Sequence, residues 1–96
     1  MVLKINEYFD GRVKSIGFQD HKGSISSGVM EAGEYTFSTN TQERMTVLTG
    51  GLMVRRPTDA DWITFRPGES FDVPGKVSFQ VRVDETTAYL CRYQEC

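Results

Sequence analysis

A glutamate, Glu43, is followed by six residues and then a double glycine, Gly50-Gly51, with Met45, Val47 and Thr49 alternating between them. Phe37 and Thr39 precede it at even spacing, and Phe79 follows a second glycine-bounded stretch, Gly68-Glu-Ser-Phe-Asp-Val-Pro-Gly75. The one histidine, His21, lies in the polar turn cluster Gln19–Gly23 and reads as a solvated surface residue. A histidine triad, a two-histidine metal site and a Cys–His pair therefore have little to build on. Glu43 alone does not hold a transition metal, because tight sites use three or four ligands. Arg92 sits in the apolar, aromatic run Ala88–Tyr93. Two readings stand for it: a planar fork gripping a phosphate, or an outer-face residue paired with an Asp or Glu. Arg55-Arg56, beside Pro57, reads as solvated surface, and Lys14 and Lys76 are lesser anion candidates.

These residues need a scaffold, and the rest of the chain says which kind. Its 96 residues suffice for one core, read as a single domain over 1–96. A net charge of −2 with interspersed signs offers no basic face for a nucleic-acid polymer and no polybasic membrane anchor. No apolar run approaches the roughly 20 residues of a membrane span, and the N-terminus lacks a secretory pattern. Cys91 and Cys96 form neither a disulfide framework nor a zinc spacing. Both read as reduced thiols in a cytoplasmic protein, Cys91 buried and Cys96 exposed and inert.

Short strands are expected at Arg12–Phe18, Ile25–Met30, Glu34–Thr39, Arg44–Thr49, Leu52–Arg56, Trp62–Phe65, Glu69–Val73, Val77–Val83 and Thr87–Tyr93, with period-two alternation plain in Arg12–Phe18 and Glu34–Thr39 and clearest in Val77–Val83. Asn6–Gly11 reads as a polar and aromatic lead-in to a turn. About nine short strands with turn signals between them, and no helical period, predict an all-β sandwich or barrel. A closed barrel or jelly roll also removes the exposed strand edges that invite aggregation. Trp62, Val73 and Leu90 read as packing residues.

The Glu43–Gly51 and Gly68–Phe79 stretches resemble the two motifs of the cupin superfamily, which implies a jelly-roll β-barrel. In most cupins those motifs give three His and one Glu to a metal. Here the glutamate position is Glu43, and the histidine positions read Phe37, Thr39 and Phe79. The resemblance thus implies the cup without the metal set. Aromatic faces beside a hydroxyl and a carboxylate suit a flat, polar-edged ligand joined to a sugar, since every nucleobase offers a π-face. The other reading makes Phe37 and Phe79 plain core.

A closer resemblance covers Asn6 to Tyr93. Asn6-Glu-Tyr-Phe, Val13-Lys-Ser-Ile-Gly-Phe, Gly28-Val-Met, Gly33-Glu-Tyr-Thr-Phe-Ser-Thr, Met45-Thr-Val, Phe71-Asp-Val-Pro-Gly and Tyr89-Leu-Cys-Arg-Tyr resemble the small bacterial pyrimidine/purine nucleoside phosphorylases. That family implies cleavage of purine and pyrimidine nucleosides by phosphate to free base and ribose 1-phosphate, a place in nucleotide salvage, and a homodimer. It implies no metal or cofactor, with phosphate as co-substrate. The expected assignment gives Arg92, with Thr39 and backbone amides, to phosphate. Glu43 takes the ribose hydroxyls and the charge of the sugar cation. Phe37, Phe79 and either Tyr35 or Tyr89 sandwich the base, and Met30 fills the same wall. A metal-free binding or regulatory cupin is the competing class, and a metal-dependent sugar isomerase or dioxygenase a third.

Overall fold

The computed structural model describes residues 3–94, so the expectation for Cys96 lies outside the described residues. Ten strands follow in order: β1 Lys4–Tyr8, β2 Val13–Asp20, β3 Gly23–Met30, β4 Gly33–Ser38, β5 Gln42–Thr49, β6 Leu52–Arg55, β7 Ile63–Phe65, β8 Ser70–Val73, β9 Ser78–Val83 and β10 Thr87–Gln94. They form a six-stranded sheet, β1-β2-β3-β10-β5-β8, and a four-stranded sheet, β4-β9-β6-β7. No helix occurs among the described residues. The all-β reading holds, and the strand it missed is β1. The turn aromatics and Gly11 masked this strand, yet it pairs antiparallel with β2 from Lys4↔Gly17 to Tyr8↔Val13.

The two sheets face each other across a core made by alternation. Phe79, Val81 and Val83 of β9 point inward while Ser78 and Gln80 stay exposed. Val47, Leu52, Val54, Val73 and Val81 are fully enclosed. Burying each such side chain contributes about 1.5–3 kcal/mol. In β10, Thr87, Tyr89 and Cys91 face inward, whereas Ala88, Leu90 and Arg92 take the outer side. A bulge between Ala88 and Tyr89 leaves Leu48 unpaired, and both Leu48 and Thr49 are exposed there.

Two loop features correct the sequence reading. Arg55 is exposed as expected, but Arg56 is not solvated surface. Its guanidinium donates to both carboxylate oxygens of Asp59, at 2.8 and 3.3 Å, and to the Asp72 carbonyl at 3.0 Å. It also lies 5.8 Å from the Phe65 ring centre and 5.9 Å from that of Phe71. The residue closes the end of the core instead of facing water. Trp62 is likewise not interior packing; it stacks under the Arg82 guanidinium at 4.5 Å on the outside of the smaller sheet.

The Gly50-Gly51 hairpin is held by Thr87, which is fully buried. Thr87 Oγ1 accepts from the Gly51 amide at 3.0 Å and lies 2.9 Å from the Glu85 carbonyl. Gly50 has φ +88°, and a Cβ there would sit 2.3 Å from Thr87 Oγ1 and 2.9 Å from the Thr86 carbonyl oxygen. Gly50→Ala is expected to lower stability by about 1–3 kcal/mol, from both the backbone conformation and the clash. Urea denaturation measures this, and an unchanged midpoint contradicts the assignment.

Candidate functional site

One cup of about 980 Å³ opens between the sheets. That is the upper end of the size range for small-molecule pockets, about 300–1,000 Å³. Strand alternation decides what enters it. From β10 come Tyr89, Cys91 and Tyr93; from β5, Glu43 and Met45; from β3, Ile25, Ser26 and Met30. Phe37 of β4 and Phe79 of β9 form the facing wall, and Lys4, Asn6 and Tyr8 of β1 line its rim.

Phe37 and Phe79 are direct cross-strand partners, with ring centres 5.8 Å apart and planes tilted by 31°. They lie side by side, giving one continuous aromatic wall and not two jaws. Phe9 meets Phe37 edge-on at 5.5 Å and extends that wall to the rim. Across the cup, the Tyr89 ring covers Gly28, where an added Cβ would lie 2.5 Å from Tyr89 Cζ. Only a residue without a side chain lets that ring lie against β3.

Glu43 is half-buried and accepts a hydrogen bond from the Cys91 thiol, Sγ to Oε1 3.3 Å. Burial pushes its carboxyl above the usual range, and the Cys91 hydrogen bond partly opposes that. Burial also pushes the Cys91 thiol far up, and the Glu43 charge adds to it. Cys91 is therefore a protonated donor and not a thiolate nucleophile. Tyr93 OH lies 3.0 Å from Ser26 Oγ, and burial pushes that phenol up to about 12.

Of the residues expected at the site, Met30, Phe37, Glu43, Phe79 and Tyr89 line the one cup. Three do not. Arg92 is on the outer side of β10, where its guanidinium donates to both carboxylate oxygens of Asp20 at 3.0 and 2.5 Å. That pair holds the Asp20 carboxyl well below the usual carboxylate range. Tyr35 is buried beneath the wall, its hydroxyl donating to the Glu31 carbonyl at 2.7 Å and its ring under Arg12 at 5.4 Å. Thr39 is buried, its Oγ1 donating to the Pro74 carbonyl at 2.7 Å and accepting from the Val77 amide at 3.1 Å. It ties two loops together and has no hydroxyl to offer a ligand. Conversely, Ser26, Cys91 and Tyr93 were not among the expected residues. The inward setting of Tyr89 was the available signal, because residues at i+2 and i+4 of a strand share its face. Among the described residues no three His, Cys, Asp or Glu side chains come together as a metal set.

A family model described as pyrimidine/purine nucleoside phosphorylase matches residues 3–93. The chain belongs to this family. Pyrimidine/purine nucleoside phosphorylases of Aliivibrio salmonicida and Yersinia pestis are 56% and 57% identical to it, each across 96% of this chain and 98% or more of its own length. A Vibrio parahaemolyticus crystal structure, described as of unknown function, covers 98% of this chain at 53% identity, with a TM-score of 0.94. An RmlC-like cupin from Shewanella frigidimarina, 18% identical, covers 93% of the chain at a TM-score of 0.69, a likeness of fold alone. Within this pyrimidine/purine nucleoside phosphorylase fold, the all-β cupin architecture is therefore shared well beyond the family.

The raised Glu43 carboxyl has a consequence for stability. A group whose pKa rises on folding favours the folded state below its unfolded pKa, and this contribution is lost as pH rises through the folded value. Glu43→Gln is therefore expected to melt at higher temperature than the parent at pH 7–8. The difference should close as pH falls and Glu43 protonates. Thermal unfolding across pH 4–8 reads this; a variant less stable at every pH would contradict it.

Proposed function

We propose that this protein is a nucleoside phosphorylase that cleaves purine and pyrimidine nucleosides with phosphate, giving free base and ribose 1-phosphate. The observation that carries this reading is a half-buried carboxylate sharing one hollow with an aromatic wall, in a chain that matches the family from residue 3 to residue 93. A phosphate oxygen attacks C1′ as the base departs, and the sugar passes through a state with oxocarbenium character, by analogy with glycoside cleavage. Glu43 accepts from the ribose hydroxyls, and its half-buried charge favours the sugar cation. Phe37 and Phe79 take one face of the base, Tyr89 closes from the other sheet, and Met30 fills the gap between. This tolerance of base shape supports a broad substrate range.

Phosphate meets a different group from the one expected. With Arg92 held by Asp20 outside the cup, Lys4 is the cationic side chain among the described lining residues, and Asn6 adds an amide beside it on β1. Positioning and electrostatics do the work, and the reaction as written calls on no metal or cofactor. Its products, a base and a sugar phosphate, fit nucleoside salvage, and the free thiol of Cys91 fits a reducing, cytoplasmic setting.

A homodimer fits the outer side of the larger sheet. Ile5 and Ile16 are register partners there, 75% and 44% exposed, and Val29 and Leu48 are each 47% exposed. An apolar face of this kind is a feature of association surfaces. Sedimentation should give twice the chain mass for the parent and a lighter species for Ile16→Glu; a monomeric parent refutes the dimer.

Base release from uridine and inosine, with and without phosphate, tests the activity. Release should require phosphate, and Glu43→Gln should lower kcat/KM about 10²-fold or more. Nucleoside binding without turnover would mark a binding cupin instead, and an unimpaired Glu43→Gln would remove Glu43 from the mechanism.

A further inference from the structure

Breaking the bond between C1′ and the base leaves its electron pair on the base. Uracil or hypoxanthine therefore departs as an anion that needs a hydrogen-bond donor and then a proton. The attacking hydrogenphosphate supplies that proton in the overall balance: nucleoside plus HPO4²⁻ gives base N–H plus ribose–OPO3²⁻. Something in the cup has to present a hydrogen to the base edge. Glu43 is unsuited while it serves the sugar as a carboxylate, and the Cys91 thiol is already committed to Glu43.

We infer that Tyr93, backed by Ser26, is the hydrogen donor to the departing base. This rests on the nucleoside phosphorylase reading above. Tyr93 and Glu43 are direct cross-strand partners, and both side chains line the cup. Opposed residues have Cβ atoms about 4.5–5.5 Å apart, a spacing that lets one residue hold the ribose while the other meets the leaving end. Ser26 is buried, and its Oγ lies 3.0 Å from Tyr93 OH, with either atom able to donate. Two adjoining hydroxyls can present or accept a hydrogen without a fixed pattern. That suits purine and pyrimidine edges alike. The phenol keeps its proton at neutral pH, since burial pushes it up to about 12. As the base takes a hydrogen from Tyr93, Ser26 returns one, and the proton released by phosphate restores the pair.

Nucleosides that differ in whether the departing base needs a proton separate this role from packing. Uridine and inosine leave as anions. 7-Methylguanosine carries a cationic base, which departs without positive charge and needs no proton. Tyr93→Phe is expected to lower kcat about 10²-fold on uridine and inosine, the range of general acid catalysis, and less than about threefold on 7-methylguanosine. Ser26→Ala should show the same ordering with smaller losses, which keeps the test decisive if the Phe variant folds poorly. Equal losses on all three substrates, or none, overturn the assignment. If the parent protein releases no base from any of them with phosphate, the nucleoside reading itself falls, and this inference with it.

Discussion

Glu43 brings a carboxylate into a hollow whose walls are mostly aromatic ring, thioether and hydroxyl, and the rest of the site is arranged around that cost. Water would solvate this charge best, and burial removes much of the water. The Cys91 thiol returns one hydrogen bond. The remaining capacity of the carboxylate faces the cup, where ribose hydroxyls and a developing sugar cation would satisfy it. A charge that is poorly served in the resting protein and well served in the transition state is what differential stabilisation requires.

That arrangement depends on β10, which lies between β3 and β5 in the larger sheet. Its inner side sets Tyr89, Cys91 and Tyr93 in a row, so one strand supplies a ring over Gly28, the partner of Glu43 and the partner of Ser26. Its outer side carries Leu90 and Arg92. A shift of one residue in register would exchange these sets. The Ala88–Tyr89 bulge and the buried Thr87, bonded to the Gly50-Gly51 hairpin, pin the strand where it enters the sheet. The aromatic wall comes from the other sheet, and the core between Val47, Val54 and Val81 fixes the two sheets relative to each other.

The fold was legible wherever alternation was strict, as in Val77–Val83, and in the glycine pair that turns β5 into β6. Strand β1 was obscured because Lys4, Asn6 and Tyr8 face a wet cup, so its inner side is polar and its outer side carries Ile5. At the site, the family pattern located Glu43, Phe37 and Phe79 in one hollow. It did not show that Arg92 lies on the far side of its strand, because composition gives no phase; Tyr89 and Cys91 inward require Arg92 outward. Thr39 and Tyr35 have ligand-like chemistry, but their hydroxyls are taken by carbonyls of Pro74 and Glu31. Such bonds join distant segments and leave no mark in the local sequence.

In the proposed reaction, sugar and base lie in this cup with the ribose on Glu43. A crystal structure with phosphate and a carbon-linked nucleoside, whose glycosidic bond cannot break, tests it most directly. Ribose hydroxyls are expected within hydrogen-bond reach of the Glu43 carboxylate, with the base flat on the Phe37–Phe79 wall and its polar edge toward Tyr93. A nucleoside seated elsewhere, with Glu43 free of the sugar, would contradict it.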